Sequence, residues 1–181
     1  MPRSDARRNY ARILAVAEEE VAAHGADASL EQIARTAGVG SATVRRHFPS
    51  RHELLEAVFR QQVDALAGRA RELAEAPDAR AALLDWLTAL TTYAATARGL
   101  ATALIRDDQS PAHACSATMT EAGVPLVRRA AEAGAVGPDV TAEDLIAVVT
   151  GIVLATEHHR DPAAEAQRLL ALAVRGISPA G

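Results

Sequence analysis

The chain has 181 residues, of which 49% are hydrophobic and only 3% aromatic, and it carries a formal net charge of −4. That length fits one or two domains, and the longest apolar stretch, Leu145 to Ala155, falls well short of the ~20 residues of a membrane-spanning helix. A single cysteine, Cys115, excludes an internal disulfide, and no early segment joins basic residues to a long apolar core, so the sequence reads as cytoplasmic with no membrane partner. Ala supplies 43 positions and all 19 basic residues are Arg. Ala is the strongest helix former, so the composition predicts an all-α protein with small side chains at its contacts.

The expected elements follow in chain order. Ile13, Ala17 and Val21 recur at helical spacing on a first helix from about Asp5 to His24, which Gly25 stops. Ser29 and Gln32 have the spacing of a capping box, in which two side chains satisfy orphan N–H groups reciprocally, and they open a second helix ending at Gly38. A third, short helix from about Ser41 to His47 closes at Phe48-Pro49. Ser50 with Glu53 opens a fourth, which runs to about Glu75, ahead of Pro77. From Leu83 to Ala97 the stripe Leu83, Leu87, Leu90 and Ala94 faces a core, and Asp85, Thr88, Thr92 and Thr96 lie opposite it. Gly123, Pro125, Gly134, Gly137 and Pro138 then blur the pattern, and Pro125 either begins a helix or kinks a longer one. Thr141 with Asp144 opens a helix to about His159, and Asp161-Pro162 opens the last, which ends at Gly176.

Charge is unevenly spread. Residues 1 to 51 sum to +2 and residues 52 to 181 to −6. Between Glu31 and Glu53 stand Arg35, Arg45, Arg46 and Arg51, with His47 and His52 and no acid at all, a basic island on an acidic protein. The same segment, Leu30 to Phe48, has the grammar of a helix-turn-helix. Two helices joined by a tight turn cross closely, so the residue one helical turn before the glycine must be small, and Ala34 is. Gly38 supplies the positive φ of the turn, while Ile33, Val39 and Val44 lock the second helix across the first. A DNA-binding reading places Ser41 to His47 in the major groove; a purely structural reading makes the unit one of many Gly-centred helix pairs.

Residues 12 to 58, through Arg12-Ile13-Leu14, Gly25, Ile33-Ala34, Ala37-Gly38-Val39, Thr43-Val44, Arg46-His47-Phe48-Pro49-Ser50-Arg51 and Leu54-Leu55, resemble the N-terminal DNA-binding domain of TetR-family transcriptional regulators. The resemblance implies a three-helix DNA-binding domain over residues 1–52. It further implies a larger helical domain over 53–181 for effector binding and dimerisation, and a homodimer on a palindromic operator in double-stranded DNA, released by a small-molecule effector. Implied DNA contacts are Ser29, Ser41, Ala42, Thr43, Arg45, Arg46, His47 and Arg51. Two of these depart from the family pattern, which places Tyr where Arg45 stands and Gly where Ala42 stands. Arg45 and Arg46 point about 100° apart on a helix, so one can take a phosphate while the other reads guanine O6 and N7.

Trp86 and Tyr93 border the apolar stripe and are candidates for an effector pocket, with His113 and Met119 added on position; all four are equally compatible with a plain core. Leu145, Val148, Val149, Ile152, Val153 and Leu154 cover more than half of one helix, which calls for cover on two sides, the second from a partner subunit approaching across Gly151 and Ala155. The expected dimer residues are therefore Leu145, Val148, Val149, Ile152 and Ala155, with Leu169 and Leu172 on the last helix. Glu157-His158-His159 has poor spacing for a metal, and no cofactor and no catalytic constellation is expected. The competing reading is a helical ligand-binding protein or enzyme in which the helix-turn-helix is an incidental packing unit.

Overall fold

The computed structural model describes residues 3–96 and 111–177; the side chains at a few of these positions, His113 and Cys115 among them, fall outside the description. Among the described residues every regular element is helical: α1 (Arg3–His24), α2 (Leu30–Thr36), α3 (Ser41–His47), α4 (Arg51–Leu73), α5 (Ala79–Thr96), α6 (Pro111–Glu132), α7 (Ala142–Ala155) and α8 (Pro162–Ile177), with a 3-10 turn at Gly25–Asp27. They divide into two compact units, and α4 passes from the first to the second after Gln62.

The first unit is built on α1, α2, α3 and the start of α4. Its core is Ile13, Leu14, Ala17 and Val21 of α1, Ile33 and Ala34 of α2, Ala37, Val44 and Phe48, and Leu54, Leu55 and Val58 of α4. Gly25 and Gly38 adopt φ of +60° and +62°, the left-handed region open to glycine. At Gly38 the chain makes a complete Schellman turn: Gly38 N–H donates to Arg35 O at 3.1 Å and Val39 N–H to Ala34 O at 3.0 Å. The start of α2 departs from a capping box. Ser29 Oγ accepts from Gln32 N at 3.3 Å, but Ser29 N–H donates to Glu20 Oε1 at 3.4 Å and the Gln32 amide turns instead to Thr36 Oγ1. The carboxylate of α1 is the stronger acceptor and displaces the neutral amide.

In the second unit α5 packs against α7 and α8, and α7 against α8. Asp78 Oδ1 accepts from Ala81 N, so α5 begins one turn earlier than the apolar stripe alone indicates. Its core face is Leu83, Leu87 and Leu90 as the spacing demands, and Trp86 and Thr91 are wholly buried beside them. Asp85, Thr88, Thr92 and Thr96 are exposed. The glycine-rich middle resolves into one helix, α6, that runs through Gly123 and Pro125 and ends in a second Schellman turn at Gly134, φ +70°. Thr141 and Asp144 form the full reciprocal box at the head of α7; the hydrogen bonds from Thr141 hold the Asp144 carboxyl below the usual carboxylate range.

Helix α7 stops at Ala155, earlier than the expected His159. Thr156 is buried, and its hydroxyl donates back to Ile152 O at 3.0 Å, which favours termination, so Glu157 to Arg160 form a turn and His158 and His159 do not ride on the helix. His158 Nε2 lies 3.3 Å from Glu157 Oε1 in an exposed pair. Asp161 caps α8 through Ala164 N at 3.1 Å.

Candidate DNA-binding and effector sites

The turn at Gly38 fixes where α3 points. With about 100° per residue, the buried Val44, 1% exposed, sets the inward direction of this seven-residue helix; Ala42 and Arg46 fall opposite it, Arg45 lies at the side, and Ser41 opens the helix one turn before Val44, all four exposed. Thr43 lies at the other flank and His47 one turn after Val44, and both are half-buried. Arg35, Arg45 and Arg46 form no salt bridge with any described carboxylate, so three guanidinium groups of the first unit keep their donors free for an outside anion.

Arg51, at the head of α4, differs. Its Nη1 stands 4.0 Å from Asp27 Oδ1, so the island that is acid-free along the chain has an acid beside it in space. Both side chains are exposed and the pair is weak. Ser29, half-buried, spends its hydroxyl on capping α2, which leaves its outward lone pair for any further contact. His47 is held by aromatic neighbours: the Tyr10 ring meets it edge-on with centroids 5.8 Å apart, and Tyr10 lies 5.2 Å from Phe48. Tyr10 thus joins the head of α1 to the end of α3. It was legible as the residue one turn before Ile13, extending the α1 stripe toward the start of the chain.

Residues 13–58 match the family model described as bacterial regulatory proteins, tetR family, and residues 78–179 match the model of the SbtR-like transcriptional regulator C-terminal domain. A TetR transcriptional regulator from Streptomyces coelicolor is 34% identical over 95% of this chain and 99% of its own, with a TM-score of 0.76. The chain belongs to the TetR family of transcriptional regulators. A TetR transcription regulatory protein from Mycobacterium vanbaalenii is 31% identical over 99% of this chain and 100% of its own, at a TM-score of 0.71. A TetR-family regulator from Agrobacterium tumefaciens, 18% identical over 96% of this chain and 100% of its own at a TM-score of 0.69, shares the fold. Comparison with curated proteins gives no match.

TetR-family regulators bind DNA and effectors and act as dimers, which directs attention to the second unit. Trp86 is wholly buried, Met119 is 5% exposed and Tyr93 is half-buried; the His113 side chain lies outside the described residues. Trp86, Tyr93 and Met119 line neither of two open clefts among the described residues of this unit. One cleft of about 780 Å³ runs from Pro77–Arg80 to Arg129–Ala135. Another, about 860 Å³, lies between α6 and α7 over Ala117, Thr120, Ile146, Ala147, Gly151 and Leu154.

The expected dimer residues separate into two groups. Leu145 and Val149, 5% and 1% exposed, pack inside their own subunit. Val148, Leu154 and Leu172 are 41%, 58% and 51% exposed, Ala155 is exposed, and Ile152 and Leu169 are half-buried. Helical spacing puts Val148, Gly151, Ile152 and Ala155 on one stripe. No described helix is long and apolar enough to cross a membrane.

Proposed function

We propose that this TetR-family regulator is a cytoplasmic repressor that binds a roughly palindromic operator as a homodimer and leaves it when a small-molecule effector binds the larger domain. In this reading residues 1–52 read DNA and residues 53–181 bind the effector and the partner subunit. The observation that carries it is the exposure of Arg45 and Arg46, with Ser41 and Ala42, on α3, a helix fixed from inside by the buried Val44. Arg45 and Arg46 divide the work, one reading guanine bidentately and the other holding a phosphate, so a G-containing half-site is preferred. Thr43 meets a thymine methyl, His47 and Arg51 contact the backbone at the flanks, and Ser29 offers a further phosphate contact. Trp86, Tyr93, His113 and Met119 surround the effector. The dimer forms across Val148, Ile152 and Ala155 of α7 and Leu169 and Leu172 of α8, with Leu145 and Val149 bracing that surface from inside.

Selection of bound duplexes from a random pool tests this reading, with sedimentation of the free protein alongside. Enrichment of an inverted repeat with guanine in each half-site, bound by a dimer, is the expected outcome. A monomer at micromolar concentration, or a pool that does not converge, contradicts it.

A further inference from the structure

Trp86 is the only tryptophan in the chain. It is wholly buried, and its indole Nε1 has no hydrogen-bond acceptor among the described residues. A buried donor without a partner is costly, and native folds rarely leave one without a use. What surrounds it limits what can supply the acceptor. Among the described residues Thr91 and Thr156 are the polar ones buried as whole residues, and both hydroxyls donate to carbonyls of their own helices, Leu87 O at 2.8 Å and Ile152 O at 3.0 Å, while the half-buried Tyr93 brings its hydroxyl oxygen inside as well. No described charged residue of the second unit is buried, so a carboxylate or an ammonium group entering this interior would lose its hydration with no counter-charge.

The wall against the indole is the weakest part of α6. A Cβ on Gly123 would stand 2.6 Å from Trp86 Cη2 and 3.2 Å from Cζ2, the atom on the same ring edge as Nε1, so only glycine fits there. Pro125 lies inside α6 and has no N–H to give the Glu121 carbonyl. Glycine and proline two residues apart make this the stretch of helix most easily bent, and Met119, one turn earlier, adds a flexible side chain that can repack.

We propose that Trp86 Nε1–H is the polar anchor of the effector site: it takes the acceptor oxygen of a neutral, mostly apolar molecule, such as a ketone or an ester, admitted by displacement of α6 at Gly123 and Pro125. This rests on the reading of the chain as an effector-released repressor, and the test separates the two.

Full-length protein on its selected duplex is titrated with five medium-chain probes of equal length: a methyl ketone, a methyl ester, an alkane, a carboxylic acid and an alkylamine. Emission reports Trp86 alone, because the chain has no other tryptophan. The ketone and ester shift the emission and release the duplex; the alkane binds about threefold to tenfold more weakly, the value of one hydrogen bond, without the shift; the acid and amine bind more weakly still. By calorimetry, Trp86→Phe brings the ketone down to the alkane's affinity and leaves DNA binding intact, whereas Gly123→Ala weakens ketone and alkane alike. If Trp86→Phe fails to fold, the contrast between ketone and alkane emission in the unaltered protein still decides. An emission shift without release keeps the Trp86 site and overturns effector-driven release. Release by the acid or amine with unchanged emission does the reverse, and no shift with any of the five probes overturns the Trp86 proposal.

Discussion

Helix α3 of the first unit and α7 of the second each turn a valine-bearing face inward, Val44 in one and Val149 and Val153 in the other, and they differ in what they turn outward. The exposed residues of α3 are Ser41, Ala42, Arg45 and Arg46; the outer face of α7 carries Val148, Gly151, Leu154 and Ala155. A cationic face is stable in water and waits for a polyanion, while an exposed apolar stripe is stable only when another surface covers it. The two helices thus point to two kinds of partner, nucleic acid for one and a second apolar surface for the other. Neither kind of partner follows from net charge, which is −4 for the whole chain and says nothing of where the cations stand.

Mutations that exchange these characters test the contrast. The largest effect is expected from Val44→Asp, which buries an unpaired carboxylate in the first unit. A loss of about 3 kcal/mol or more should abolish DNA binding, while thermal unfolding of the dimer retains a transition from the second unit. Next is Val148→Glu, which sets like charges against each other across the proposed dimer face. About a hundredfold weaker self-association, read by sedimentation, is expected, with operator affinity falling along with it. Asp27→Asn removes the acid beside Arg51 and should tighten DNA binding by a few-fold at most, the worth of an exposed pair, in dilute salt and not at high ionic strength.

The smallest effect concerns Glu18 in the first unit. Burial pushes its carboxyl above the ordinary glutamate range, and a hydrogen bond with Gln62 only partly offsets this. A raised acid pKa means that ionisation costs the folded state at neutral pH, and that the cost is withdrawn as pH falls through the raised value. Glu18→Gln should therefore raise Tm slightly at neutral pH, with the gain shrinking toward the ordinary glutamate range on acidification.

The first unit was the more legible in sequence because its determinants are local. Ala34, Gly38 and Val44 lie within one helix-turn-helix, and each has a single geometric duty that no distant residue alters. What the sequence could not foretell there depended on contacts across elements: Glu20 taking the Ser29 N–H from Gln32, Asp27 reaching Arg51, and Tyr10 closing on His47. In the second unit the box at Thr141 was plain for the same local reason. The end of α7 was not, since it follows from Thr156 bonding back to its own helix, and neither spacing nor composition marks that choice. The division of the α7 valines between own core and open face likewise needed the placement of α5 and α8. The fit of Gly123 to Trp86 joins two helices through a contact that leaves no periodic trace.

The central claim, that the outward face of α3 reads DNA in a base-specific way, is tested most directly by the salt dependence of operator affinity for the unaltered protein and for Arg45→Ala. The account predicts a steep linear fall of log affinity with log salt for both. Arg45→Ala should lose about 1–3 kcal/mol on the selected duplex and much less on a scrambled one, with relaxed preference at the guanine it reads. Equal loss on both duplexes would reduce Arg45 to a phosphate contact, and unchanged affinity and preference would contradict the account.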